Sequence, residues 1–240
     1  MRRVLVTGGG SGIGQAIARR MAGQGDAVTI CGRRMKALKE TAEGFDMTLR
    51  TTDVTDEAQV AALFEAPFDV VVANAGGGKA AKLRDTTLED WTHTLNVTLT
   101  GVFLTFRAAL AAGMGPGGRL IAIASTASLK GGANIAAYAA AKHGVLGLVR
   151  SVAQEVAKDG ITCNAVCPGF VDTPLAERAV AGLMQRFDID RDEAERRVAV
   201  DNPVGGFISP DEVAAAVVYL ASPEARMVNG HGLVVSGGEI

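Results

Sequence analysis

The chain alternates short apolar runs with stretches whose apolar residues recur at helical spacing. Runs at 3–7 (RVLVT), 27–31 (AVTIC), 47–52, 69–73 (DVVVA), 119–124 (RLIAIA), 161–167 (ITCNAVC) and 232–236 (GLVVS) predict strands. Most are apolar throughout, the pattern of strands covered on both faces. The periodic stretches predict helices near 12–24, 34–43, 56–65, 87–112, 136–158 and 210–221. Capping signals mark two starts, Thr86 with Glu89 and Ser209-Pro210 with Glu212. Strands joined by helical crossovers predict an α/β fold, a doubly wound seven-stranded parallel sheet with helices on both faces.

Segment 174–208 breaks this rhythm. It follows a strand, exceeds a usual βα connection and holds its own helix start, Asp190 with Glu193. An excursion of this size at a strand end predicts a lid over a site rather than a surface ornament. No repeat, low-complexity tract or linker divides residues 1–240, so one domain is expected.

Composition narrows the classes of partner. Of the 240 residues 48% are apolar, enough for a large core, and the net charge is only −2. Without a basic block or acidic tail, neither nucleic acid nor a membrane surface is expected as a partner. The basic start MRRVLVTGGG has too short an apolar run for a signal peptide, and no stretch approaches ~18 consecutive apolar residues. Cys163 and Cys167 stand about 13 Å apart along one strand, beyond disulfide reach. With Cys31 they form no metal-ligand spacing, so packing in a reducing, cytoplasmic protein is expected and no metal.

The first chemical signal is LVTGGGSGIGQAIA. The strand ends at Thr7, the chain turns through Gly8, Gly9, Gly10, Ser11 and Gly12, and a helix starts at Ile13-Gly14. Gly8 permits the tight turn, Gly12 the approach of backbone to a pyrophosphate, and Gly14 close packing of helix on strand. The helix N-terminus offers free N–H groups to the phosphate. A second signal is AAYAAAKHG, in which Tyr138 and Lys142 stand at i, i+4 on one helix face. Alone this pair reads as well as a lysine stem packed on an exposed ring.

The T-G-x-x-x-G-x-G spacing resembles the classical short-chain dehydrogenase/reductase family. Further matches fall in that family's order over nearly the full length: Asp53-Val54, Asn74-Ala75-Gly76, Asn96, Ser125, Tyr138-x-x-x-Lys142 and Pro168-Gly169. The resemblance implies a Rossmann-type domain and an NAD(P)-dependent oxidoreductase that moves a hydride between nicotinamide and a carbonyl or secondary alcohol. It implies Tyr138 as proton donor, Lys142 as the cation that lowers its pKa and holds the nicotinamide ribose, and Ser125 as holder of the substrate oxygen. Asn96, within the long helix, would hold a water that extends a proton relay from the lysine.

The same resemblance places Asn74, Ala75 and Gly76 against the cofactor, and Asp53 with Val54 at the adenine. It places Pro168 and Gly169 beside the nicotinamide, Val171 at its carboxamide, and Thr173 at the carboxamide or phosphate. At the second strand's end TICGRRMK lacks the acid that would bind an NAD ribose, and Arg33 and Arg34 follow. This favours NADP over NAD, although Ser11 stands where many NADP-dependent relatives carry a basic residue.

For the substrate, the chain looks most like 3-oxoacyl reductases acting on CoA or acyl-carrier-protein thioesters, or 3-hydroxyacyl dehydrogenases. A dehydrogenase of cyclic or small secondary alcohols is the rival, and a non-catalytic dinucleotide sensor the alternative outside enzymes. The lid residues Leu175, Leu183, Met184 and Phe187 either cover an acyl chain or pack the lid down. Arg178, Arg186, Arg191, Arg196 and Arg197 could meet a CoA phosphate, but interleaved acids favour a solvated face. Family members are usually homotetramers, and the same is expected here.

Overall fold

In the computed structural model seven strands form one sheet in the order β3-β2-β1-β4-β5-β6-β7. The strands are β1 (Arg3–Thr7), β2 (Ala27–Gly32), β3 (Met47–Thr51), β4 (Val70–Ala73), β5 (Arg119–Ile123), β6 (Thr162–Pro168) and β7 (Gly232–Val235). Every neighbouring pair is parallel. The structure describes residues 1–240; the side chains of Leu175 and Arg178, two of the lid residues named above, lie outside the described residues.

The continuous apolar strands are explained by what covers them. Val4, Val6, Val70, Val72, Ile121, Ile123 and Val166 face α1 (Gly12–Gly23) and α9 (Pro210–Leu220). Their neighbours Leu5, Val71, Leu120, Ala122, Cys163, Ala165 and Cys167 face α5 (Gly101–Ala111) and α6 (Ala136–Val156). Alternate residues enter opposite cores, so the central strands are apolar at nearly every position, while edge strand β3 keeps polar, exposed residues. All three cysteines are free and buried in this packing.

Strand order reverses between β1 and β4, the switch point where a crevice opens at the strands' C-terminal ends. Helix α2 (Met35–Ala42) packs on β2 and β3, and α3 (Glu57–Ala61) packs against α5. Beyond β4 the predicted helix 87–112 is composite. It runs as α4 (Leu88–Leu95), a π-turn at Asn96–Thr100, and α5. Its cap is Thr87, whose hydroxyl accepts from Asp90 N; the expected cap Thr86 instead donates to Lys82 O. By length and composition the run Leu88–Ala111 could cross a membrane, but it packs against α3, α6 and β4 as a layer of this fold.

Segment 174–208 contains α7 (Pro174–Phe187) and α8 (Arg191–Val198), with Asp190 capping α8 at Glu193 N. Leu183 and Met184 close a small core with Val180, Ala194, Val198, Ile189 and Phe207. Of the two expected roles, these two residues take the packing one. Phe187 stays half-exposed with the guanidinium groups of Arg186 and Arg197 near its ring. Arg191 pairs with Glu177 and Glu195, and Arg196 and Arg197 share Glu193, so this face is solvated and self-neutralised.

Candidate active site

The crevice at the switch point is built from backbone first. Thr7 closes β1, and its hydroxyl accepts from Asn74 N at 3.0 Å and Ala75 N at 3.1 Å. The Asn74 amide returns two bonds, to Thr7 O at 2.9 Å and Gly8 O at 3.2 Å. The loops after β1 and β4 are thereby locked side by side. Gly8 has φ +65°, and a Cβ at Gly14 would stand 2.4 Å from both Asn74 Nδ2 and Gly8 O. Side chains at these positions are excluded by backbone, the requirement expected of a turn that lets a dinucleotide approach. Ser11 precedes α1 in extended conformation with no side-chain cap bond, while Ile13 packs on the sheet.

Gly12, at φ +54°, lies under Thr173; a Cβ there would meet the Thr173 methyl at 3.0 Å. The glycine turn and the loop after β6 therefore border one space. The Thr173 hydroxyl bonds to Val171 O at 3.1 Å rather than pointing into that space. Val171 is buried and bridged to Ile208, fixing the base of segment 174–208. Pro168 ends β6, and Gly169 N donates to Val235 O.

At the other end of the crevice, Arg33 and Arg34 are exposed after β2 with no carboxylate within ion-pair distance among the described residues. Asp53 accepts from Thr55 N and Thr55 Oγ1, which together with Arg33 hold its carboxyl below the usual range. Val54 is buried against Gly101, where a Cβ would stand 2.9 Å from Val54 Cγ2.

Three of the four residues expected at the reacting centre converge. Ser125 follows β5 and accepts from Ala127 N at 3.1 Å, capping the 3₁₀ turn Thr126–Ser128. Its hydroxyl also bears on the phenol of Tyr138, which α6 presents half-buried to the crevice. Lys142, one turn further, is buried; its Nζ donates to Ile123 O at 2.6 Å and lies 5.6 Å from the Tyr138 ring centroid. Burial brings the lysine down to about 8. Burial also raises the Tyr138 phenol, against the lowering by its Ser125 bond, so the lowering expected from the sequence is not what the protein alone imposes. In this crevice desolvation of the phenolate outweighs the nearby Ser125 hydroxyl.

Asn96, expected to hold a relay water, is exposed at the first residue of the π-turn. Thr98, two positions on, is fully buried. The Thr98 hydroxyl accepts from Gly77 N at 3.1 Å and donates to Gly77 O at 3.0 Å. A Cβ at Gly76 would lie 3.5 Å from Lys142 Nζ and 3.6 Å from Thr98 Oγ1, so Gly76 separates the two by one small gap. The signal was present in the periodicity. Thr94, Thr98, Thr105 and Ala109 trace the buried face of the run, and Asn96 falls about 200° from Thr94.

The arrangement has the parts for proton transfer at an oxygen: a phenol, a hydroxyl near it and a buried cation beneath, all opening on a dinucleotide-shaped turn. The family model described as enoyl-(acyl carrier protein) reductase matches residues 8–239. A Streptomyces coelicolor protein named "Putative ketoacyl reductase" is 41% identical, covering 98% of this chain and 95% of that protein. The cis-4-hydroxycyclohexanecarboxylate dehydrogenase of Sinomonas cyclohexanicum is 38% identical, covering 99% and 96%. A solved actinorhodin polyketide ketoreductase variant with NADPH superposes with TM-score 0.94 at 37% identity, covering 99% of this chain and 97% of that one.

Proposed function

This chain belongs to the classical short-chain dehydrogenase/reductase family of NAD(P)-dependent oxidoreductases, and from that premise we propose that it reduces a 3-oxoacyl thioester with NADPH. The observation that carries the reading is the Ser125–Tyr138–Lys142 cluster beside the glycine turn. The turn fits the cofactor: Gly8, Gly12 and Gly14 leave room that a Cβ would fill, and Arg33 and Arg34 are free to take a 2′-phosphate. Asn74, Ala75, Gly76, Pro168 and Gly169 border the nicotinamide end, and Asp53 with Val54 the adenine end. When bound, the cofactor supplies the hydride.

The chain supplies the proton and the alignment. Ser125 Oγ donates to the carbonyl oxygen, and Tyr138 gives its phenolic proton to that oxygen as charge develops there. A phenol kept protonated by burial is a ready donor, and buried Lys142 stabilises the phenolate left behind. Segment 174–208 covers the substrate, hinged at the Val171–Ile208 bridge. A 3-oxoacyl group carried on CoA or an acyl carrier protein is supported by the ketoacyl-reductase relatives, which share nearly the full chain. The dehydrogenase from Sinomonas supports the second reading, a cyclic secondary alcohol.

The three free buried thiols support a cytoplasmic location. Exposed Leu88 and Phe103 on the α4–α5 run support assembly, a homotetramer in this reading. Absorbance at the nicotinamide band, followed with NADPH and NADH against acetoacetyl-CoA and cyclohexanone, tests the proposal. Expected are turnover of acetoacetyl-CoA with NADPH and its loss, with NADPH still bound, in Tyr138→Phe. Turnover with NADH alone would refute the role of Arg33 and Arg34, and turnover of cyclohexanone alone the thioester.

A further inference from the structure

Beside the crevice, one ammonium ties together three segments that are distant in the chain. Lys130 follows the turn that Ser125 caps, and its backbone N donates to Thr126 O. Its Nζ lies 2.9 Å from Glu239 Oε1 and 3.1 Å from Asp201 Oδ2. Glu239 is in the C-terminal tail, and only 4% of its side chain is exposed. The carboxylate lies on the turn after β6: a Cβ at Gly169 would stand 2.6 Å from Glu239 Oε2. Asp201 is on the return from α8. Next to it Asn202 abuts Gly237 of the tail so closely that a Cβ at Gly237 would stand 1.9 Å from Asn202 Oδ1. Pro203 packs on Gly238 in the same seam.

We propose that Lys130 is a positioning residue for the reaction, pinning the tail and the return of segment 174–208 to the turn that carries Ser125. Two of the three N–H donors of the Lys130 ammonium are already committed to these carboxylates. It acts through them. Glu239 is nearly buried and has no other cation at ion-pair distance among the described residues, so losing Lys130 leaves a carboxylate without its counter-charge. That carboxylate must then find water, which moves the tail off Gly169 and removes the surface on which Asn202 and Pro203 rest. The substrate side of the crevice loosens, while the glycine turn across it, held by Thr7 and Asn74, keeps its form.

The inference rests on the reading of 174–208 as the substrate cover, and its test has an arm that needs no substrate. In the full-length protein, chymotrypsin cleavage within 174–208, at half-exposed Phe187 first, is followed by mass spectrometry in Lys130→Gln, Lys130→Arg, Glu239→Gln and Asp201→Asn. Cleavage is expected at least fivefold faster in Lys130→Gln and near the wild-type rate in Lys130→Arg. KM for acetoacetyl-CoA is expected to rise about tenfold in Lys130→Gln, with the NADPH dissociation constant within twofold of wild type. Asp201→Asn, at a half-exposed position, is expected to reproduce part of both effects and guards against a folding failure in Lys130→Gln. Cleavage in Lys130→Gln within twofold of wild type overturns the proposal, as does faster cleavage with an unchanged KM. A wild type that reduces no ketone refutes the substrate reading instead, and the pinning is then decided by the cleavage rates.

Discussion

Thr98 and Asn96 are both polar residues in the same apolar run, and the fold treats them differently. The family pattern points to the asparagine, which is exposed, whereas the Thr98 hydroxyl is buried, clamps both polar groups of Gly77 and so holds the wall beside Lys142. Thr98→Val removes an acceptor and a donor together and leaves the part-buried Gly77 N–H and C=O without their partner, at about 1 kcal/mol. A fall in kcat/KM of about tenfold or more is expected, with Thr98→Ser close to wild type, read by steady-state kinetics. Tyr138 and Lys142 were legible because i, i+4 spacing puts them on one helix face and the family pattern gave that face a use, and Ser125 was legible through that pattern. The Lys130–Glu239 pair was not, since nothing local ties a lysine after β5 to a glutamate at the end of the chain.

Among the elements, the predicted strands hold to within one residue; in the central strands double burial imposes an almost unbroken apolar run, while β3 at the sheet edge is largely exposed. Helix starts were legible where a cap has one candidate. Ser209 and Glu212 form the reciprocal box, Glu212 N donating to Ser209 Oγ and Ser209 N to Glu212 Oε2. Two adjacent threonines left the α4 cap ambiguous, and the chain uses the second. The π-turn was not legible, because one extra residue in a helix barely alters a hydrophobic pattern that tolerates 3.6-residue steps. Since α9 covers the sheet beside α1, its cap contributes to the whole fold. Ser209→Ala is expected to lower unfolding free energy by about 1 kcal/mol in urea denaturation.

For the molecule as a whole, burial of titratable groups sets a pH signature. Lys142 titrates near 8 when folded against 10.5 when free, so between these values the unfolded chain binds the extra proton and stability rises with pH. The thiols act in the opposite sense. Cys31 and Cys163 are pushed from 9 to about 12 and Cys167 also upward, so above 9 the unfolded chain has lost protons the folded one keeps, and stability falls. These groups together contribute a rise from pH 8 to 9 and a decline beyond, each proton weighing about 1.4 kcal/mol per pH unit at full difference. Urea midpoints at pH 8, 9 and 10 test this; Lys142→Met is expected to remove the rise, and Cys163→Ala to shallow the decline.

The π-turn at Asn96–Thr100 also bears on how chains of this kind can be aligned and shortened. It holds one residue more than an α-helical turn of the same rise, so it acts as a phase shifter between α4 and α5. Deleting a single residue there would restore uninterrupted α-helix while turning α4 about 100° around its axis relative to α5. Thr94 would leave the core, and the approach of Thr98 to Gly77 would depend on which residue was lost. A gap placed at this point is therefore a change of phase, and residue count along 88–111 carries information that residue identity does not.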